Sequence, residues 1–218
     1  MEEYCKINTI WKRDNWGKIL VGQYSTPEIE FLADNEWCFT EKVDGTNIRI
    51  MWDGETVRFG GRTDAAQIPA TLVAVLQSKF PAEKMRMNFN GPACLYGEGY
   101  GAKIQAGGGN YKSDGQDFVL FDVKVGPWWL NRDDVFAAGA NLGISVVPVV
   151  GRGTLGTMAE VVSQGLGSSW GNFKAEGIVA RPSVAMFSRR GERIIAKLKT
   201  KDFKQNKNIA VATAENRI

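Results

Sequence analysis

A lysine that ends an apolar stretch and enters a tight bend can carry a nucleotide on its side-chain nitrogen. Lys42-Val43-Asp44-Gly45-Thr46-Asn47 follows Trp37-Cys38-Phe39-Thr40-Glu41 and precedes Ile48-Arg49-Ile50-Met51-Trp52. The pattern reads as a strand delivering Lys42 to an Asp-Gly bend, with a second strand leaving it. An amine attacks phosphorus only when neutral. A free lysine has a pKa near 10.4, so only about one in a few thousand is neutral at pH 7. Nearby cations shift that balance, because a second positive charge disfavours the ammonium. Lys197, Lys199 and a bound Mg²⁺ are the candidates, and two lysines two apart on a strand share one face.

Other side chains fit the same chemistry. Glu176, at the start of Glu176-Gly177-Ile178-Val179-Ala180-Arg181, can hold Mg²⁺ directly or through water. Asn47 and Asp44 can hold its hydration shell, or Asp44 can serve the turn alone. The guanidinium fork of Arg62 suits ribose or phosphate. The chain contains no histidine, which excludes Ser-His-Asp and Cys-His triads and histidine-ligated metals. Cys5, Cys38 and Cys94 are scattered and form neither a disulfide framework nor a zinc spacing. They read as inert, mostly buried packing in a reducing cytoplasm.

These residues need elements to position them. The 218 residues are 44% hydrophobic and carry a net charge of +3, which allows one large domain or two small ones. No apolar run reaches membrane-span length, and the acidic start Met1-Glu2-Glu3-Tyr4 is unlike a signal peptide. Residues 1–35 read as irregular with short elements, including a helix start with Thr26 as cap and Pro27 at the first position. Residues 36–62 read as two or three strands with a turn at Asp53-Gly54. Helices are expected over 69–80, 132–139 and 158–165. Strands are expected over 93–98, 118–123, 176–181 and 193–199, the last two as antiparallel neighbours. Residues 146–150 read as a short extended segment, and the glycine-rich 103–115 as a mobile loop. Many short strands with few helices predict an α+β fold with antiparallel sheets. No linker interrupts the chain, so residues 1–218 read as one domain.

Basic residues gather late in the chain: Arg189-Arg190, Arg193, Lys197, Lys199, Lys201, Lys204 and Lys207. Such a run is a solvated face or a nucleic-acid contact. Lys12-Arg13, Lys103, Lys112 and Arg181 can track a backbone in the same way. Trp128-Trp129 suits buried packing or a partner contact better than base stacking.

The order Lys42-Val43-Asp44-Gly45, Gly61-Arg62-Thr63, Tyr96-Gly97-Glu98-Gly99-Tyr100-Gly101, Phe121-Asp122, Glu176-Gly177-Ile178-Val179 and Lys197-Leu198-Lys199 resembles the covalent nucleotidyltransferases, the polynucleotide ligases and capping enzymes. The likeness covers residues 41–203. Asn47, Gly61-Arg62-Thr63 and the run from Tyr96 through Ile104-Gln105 into the glycines are most similar to type 2, nick-sealing ATP-dependent RNA ligases. Asp44 is the departure: some type 2 RNA ligases carry histidine there, whereas DNA ligases and capping enzymes carry aspartate.

The resemblance implies a ligase adenylation domain, ATP-grasp-like, with antiparallel sheets flanked by helices. It implies ATP with Mg²⁺ or Mn²⁺, Lys42 as the nucleophile, and Lys197 and Lys199 on the α-phosphate. Glu98 would accept from a ribose hydroxyl, Arg62 would bind ribose or phosphate, and Phe121 would stack on the purine, with Phe118 competing for that part. Glu41 would read the base edge, and Glu176, Asn47 and Asp44 would serve the metal. The implied partner is RNA, as a nicked duplex or single-strand ends, with DNA also open. The implied setting is RNA repair by a cytoplasmic monomer, in a host cytoplasm if phage-encoded. Only residues 200–218 follow Lys199, too few for the oligonucleotide-binding or helical C-terminal domain of the related enzymes. The alternatives are a DNA ligase or guanylyltransferase core, and a non-catalytic nucleotide- or nucleic-acid-binding module.

Overall fold

The computed structural model describes residues 3–204. Lys207 lies outside them. The chain folds as two compact units, residues 3–6 with 43–147 and residues 7–42 with 148–204. Each unit is built around its own sheet, and the chain leaves the second for the first after Lys42. No helix among the described residues is long and apolar enough to cross a membrane.

The second unit supplies β1 (Asn8–Thr9), β2 (Trp11–Arg13), β3 (Ile19–Tyr24), α1 (Pro27–Phe31) and β4 (Trp37–Lys42). After the chain returns it adds β10 (Val149–Gly153), α6 (Leu155–Ser163), β11 (Gly177–Pro182), β12 (Ala196–Lys199) and α7 (Thr200–Lys204). Its five-stranded sheet runs β1-β12-β11-β4-β10, and β2 pairs with β3 apart from it. α1 starts where the sequence predicts: the Thr26 side chain accepts from the Ile29 amide and Pro27 opens the helix. α6 starts three residues before the expected Met158, because the Thr154 hydroxyl caps it by accepting from the Thr157 amide. β11 and β12 are antiparallel neighbours, with Val179 opposite Lys197. Trp37, Phe39, Ile178, Ala180, Ala196 and Leu198 line the sheet face that α6 covers with Met158, Ala159 and Val162.

The first unit holds β5 (Thr46–Trp52), β6 (Val57–Gly60), α2 (Ala70–Lys79), α3 (Ala82–Asn88), β7 (Ala93–Gly101), α4 (Gly108–Tyr111), β8 (Gln116–Val125), β9 (Trp128–Trp129) and α5 (Arg132–Leu142). Its sheet runs β6-β5-β7-β8-β9 and is antiparallel throughout. The turn at Asp53-Gly54 forms as expected. The Asp53 carboxylate accepts from the Thr56 and Glu55 amides and the Thr56 hydroxyl. Those bonds, led by the Thr56 amide, pull its pKa from 3.8 down to about 2. The turn's contribution to stability is therefore present above pH ~3.8 and lost as pH falls through the lowered value.

Ile48, Ile50, Trp52, Leu95, Phe118, Leu120 and Val123 face the helices and pack with Leu72, Leu76 and Val135. Phe118 is 1% exposed and meets Phe80 edge-on at 5.4 Å, so it is core. Val146 makes an isolated parallel bridge to Leu120, while β10 begins only at Val149. The extended segment over 146–150 is thus divided between the two units, which part at Val147 and Pro148. Cys38 and Cys94 are buried as expected, but Cys5 is exposed. Trp128 is 74% exposed, whereas Trp129 packs beside Tyr96 at 5.2 Å.

Residues 103–115, expected as a mobile loop, hold α4, a buried Ile104 and a buried Gly108. Glycine there permits close approach rather than freedom: a Cβ on Gly108 would come within 2.5 Å of the Gly101 carbonyl oxygen. Gly97 obeys the same constraint in β7, where a Cβ would overlap the Phe118 ring and the Val119 carbonyl oxygen. Gly97→Ala should lower the unfolding free energy by about 2–3 kcal/mol, read as a lower urea midpoint at unchanged slope.

Candidate active site

Three adjacent strands of the second unit put Lys199, Gly177 and Lys42 directly opposite one another. Lys42 is the last residue of β4 and Lys199 the last of β12, so both ammonium groups sit at one end of the sheet. Gly177 has no side chain to separate them, and a Cβ there would collide with the Leu198 carbonyl. Both lysines reach Glu176, the residue before β11: Lys42 Nζ lies 2.6 Å from Oε2 and Lys199 Nζ 2.6 Å from Oε1. The three side chains are 21%, 22% and 14% exposed in the order Lys42, Lys199, Glu176, a partly desolvated cluster of two cations on one anion. The Thr200 amide donates to the Glu176 carbonyl and the Thr200 hydroxyl to the Ala175 carbonyl, which holds the carboxylate's backbone in place. The expected metal ligand thus stands between two lysines, an arrangement that can release one ammonium when another cation takes its place.

Strand alternation sorts the remaining residues of this unit. Leu198, Ala196, Ile178 and Phe39 face the core, so Lys197, opposite Val179 and Thr40, lies on the same face as Lys42 and Lys199. Glu41 lies on the other face and is 1% exposed. Its carboxylate accepts from the Ser168 hydroxyl at 2.6 Å and the Ser169 amide at 2.8 Å. Those bonds pin the segment bridged at Gly167 and Lys174 that leads into Glu176. The structure therefore does not bring the Glu41 carboxylate to the lysine face. Nothing in the sequence distinguishes Ser168, Ser169 and Thr200 from other small polar residues, and their parts emerge only in the fold.

In the first unit the sheet face away from the helices carries Asn47, Glu98 and Phe121. Asn47 on β5 is directly opposite Glu98 on β7. The Asn47 Oδ1 is buried and has no hydrogen-bond partner among the described residues. Tyr96 is opposite Asp122 while Gly97 is opposite Leu120, so Phe121 is the extra residue of a bulge. Phe121, three residues from Phe118, falls on the opposite face by alternation, and the bulge keeps Asp122 on that face beside it, opposite Tyr96. Tyr4 meets Phe121 edge-on at 5.0 Å and donates to Asp122 Oδ2 at 2.8 Å. That approach from the start of the chain has no sequence signal.

The bend after Lys42 is held from outside itself. Asp44 Oδ2 accepts from the Gly107 amide at 2.9 Å, so it secures the glycine segment as well as the turn. A Cβ on Gly107 would stand 2.5 Å from that same oxygen. Arg62 is exposed two residues beyond β6. Its loop is tied down by Arg49, which is fully buried and donates to the Gly61 carbonyl at 2.7 Å and to Asp64 Oδ1 at 2.6 Å.

Residues 35–199 match the sequence model of the RNA ligase family. The chain belongs to the RNA ligase family. Its fold is the nucleotidyltransferase fold seen in solved structures of Naegleria gruberi RNA ligase. A ligand-free mutant of that enzyme is 21% identical, with a TM-score of 0.64 over 94% of this chain and 64% of the other. A second mutant, solved with ATP and Mn, is 20% identical with a TM-score of 0.65 over 94% and 63%. The form with PPi gives 20% and 0.65 over 94% and 64%. This chain thus spans less than two thirds of the length of those proteins. No curated protein matches it.

The Arg49 interaction leaves a titration signature. Its hydrogen bond, then its charge, holds the Asp64 carboxyl below the ordinary 3.8. The pair's contribution is present above that pH and lost as pH falls through the lowered value. In Arg49→Met, Asp64 should titrate close to 3.8 by carboxyl NMR. An unchanged titration would show that Arg49 is not the cause.

Proposed function

We propose that this chain carries the nucleotidyl-transfer part of an ATP-dependent RNA ligase that works through a lysyl-adenylate. The observation that carries the reading is the convergence of Lys42 and Lys199 on Glu176, in a chain of the RNA ligase family. The Lys42 amine attacks the α-phosphorus of ATP. The nitrogen–phosphorus bond forms, the bond to the β-phosphate oxygen breaks, and pyrophosphate leaves. Lys42 is held at Glu176 Oε2, so this pair opens and the ammonium proton departs before attack. Lys199, with Lys197 on the same face, supplies positive charge for the phosphoryl oxygens. The adenylate then passes to a 5′-phosphate end, and a 3′-hydroxyl displaces AMP to join the strands.

Relatives solved with ATP and Mn support the choice of ATP and a divalent cation, Mg²⁺ or Mn²⁺. Glu176 suits the mode in which one carboxylate and the substrate's phosphates hold the ion. The unpartnered Asn47 oxygen suits a hydrated ion, while Asp44 serves through the bend. When bound, the cation would neutralise charge developing on the transferring phosphoryl group. Glu98 is assigned to a ribose hydroxyl, Arg62 to ribose or phosphate, and Phe121 to the purine face.

Intact-mass analysis after incubation with ATP, Mg²⁺ and pyrophosphatase should show one added AMP, absent in Lys42→Ala. Glu176→Gln and Lys199→Ala should each slow adduct formation by about 10²-fold or more, the scale of losing one oriented charge. A GMP adduct formed from GTP would move the reading to capping chemistry, and no adduct with either nucleotide would overturn it.

A further inference from the structure

The arginines of the basic run have no part in the reaction above, yet the fold gathers them. Arg189 and Arg190 sit on a tight turn in the second unit. The Ser188 carbonyl accepts from the Gly191 amide at 2.9 Å, and the Ser188 hydroxyl accepts from the Arg190 and Glu192 amides at 3.2 Å each. The turn and α1 border an open cavity of about 420 Å³ that Arg189, Arg190 and Arg193 line, with Asn8 beside them and Ile29, Ile194 and Ile195 as apolar wall. Glu28 and Glu192 also line it, leaving the arginines in excess by one charge. Neither Arg189 nor Arg190 forms an ion pair among the described residues, and both are exposed.

The cavity and the lysines lie on one continuous segment of chain. Ala196 and Leu198 pack on the core, so Lys197 and Lys199 share the opposite face of β12, and Arg193, Ile194 and Ile195, which line the cavity, run directly into that strand. Arg193 stands six positions before Lys199, at most roughly 20 Å at ~3.3 Å per residue. A nucleic-acid strand rising ~3.4 Å per base covers that span in about six base steps. Guanidinium forks suit phosphate oxygens, and an apolar wall suits a ribose or base.

We propose that this cavity is an anchoring subsite for the RNA backbone, binding a phosphate and its nucleoside about six base steps from the strand end that meets Lys199. It rests on the RNA-joining reading, but it is separable from nucleotide transfer because Arg189 and Arg190 touch none of the lysine cluster.

The test compares the chain with Arg189→Ala/Arg190→Ala on a nicked RNA duplex bearing a 5′-phosphate, with Kd followed between about 50 and 200 mM salt. The double variant should bind about tenfold more weakly at low salt. The slope of log K against log salt should shrink by roughly 1, at ~0.9 for the phosphate that the variant no longer neutralises. The AMP adduct should form at the parent rate, which also shows that the variant is folded. A duplex with about four base steps on each side of the nick is too short to reach the cavity and should bind both proteins equally. Equal affinity and slope on the long duplex would overturn the subsite while leaving the ligase reading intact, as would an equal loss on both duplexes. A parent chain that forms no adduct would sink the ligase reading instead, and the long-against-short comparison would still judge the cavity.

Discussion

One carboxylate held by two ammonium groups sets the conditions for the rest of the second unit. Glu176 takes a lysine on each oxygen, and the geometry works because the strand between those lysines begins with glycine. Two cations at one point repel each other, and the carboxylate between them makes their approach tolerable. The backbone around Glu176 is held accordingly, from Thr200 behind it and from the Glu41-pinned segment that leads into it. The arrangement is poised for exchange: a divalent cation or phosphate oxygens entering the cluster would trade places with partners already there, without unfolding anything. The arginine cavity lies on the same unit, on the segment that leads into β12, so the proposed anchoring of RNA and the lysine cluster share one stretch of chain.

The first unit is governed by close approach of backbone to side chain. Gly97 admits the Phe118 ring, Gly107 admits the Asp44 carboxylate, and Gly108 admits the Gly101 carbonyl. These approaches turn a glycine-rich stretch into an ordered layer behind the bend. On the open face of the sheet, polar and aromatic side chains stand where alternation and one bulge put them. A buried arginine is costly to desolvate unless its donors are satisfied. Arg49 meets that condition by gripping the loop that presents Arg62, so a core position and an exposed functional candidate are coupled through two hydrogen bonds.

The family, the α+β class and the strands carrying Lys42, Glu98 and Lys199 are legible from residue order, because local alternation, an Asp-Gly bend and spaced motifs are short-range properties. Lys197 and Lys199 share a face as their spacing requires. Glu41 belongs to the same logic: next to Lys42 in sequence, it must point the other way on a strand. Three things needed the tertiary structure. The bulge at Phe121 breaks the period that would have put Asp122 on the helix face, and it arises from pairing with β7, more than twenty residues away. Arg49, flanked by two buried isoleucines, reads as solvent-facing until Gly61 and Asp64 fold over it. The joining of Lys42, Glu176 and Lys199 depends on pairing between strands far apart in the chain, and long-range register is what a one-dimensional pattern does not encode.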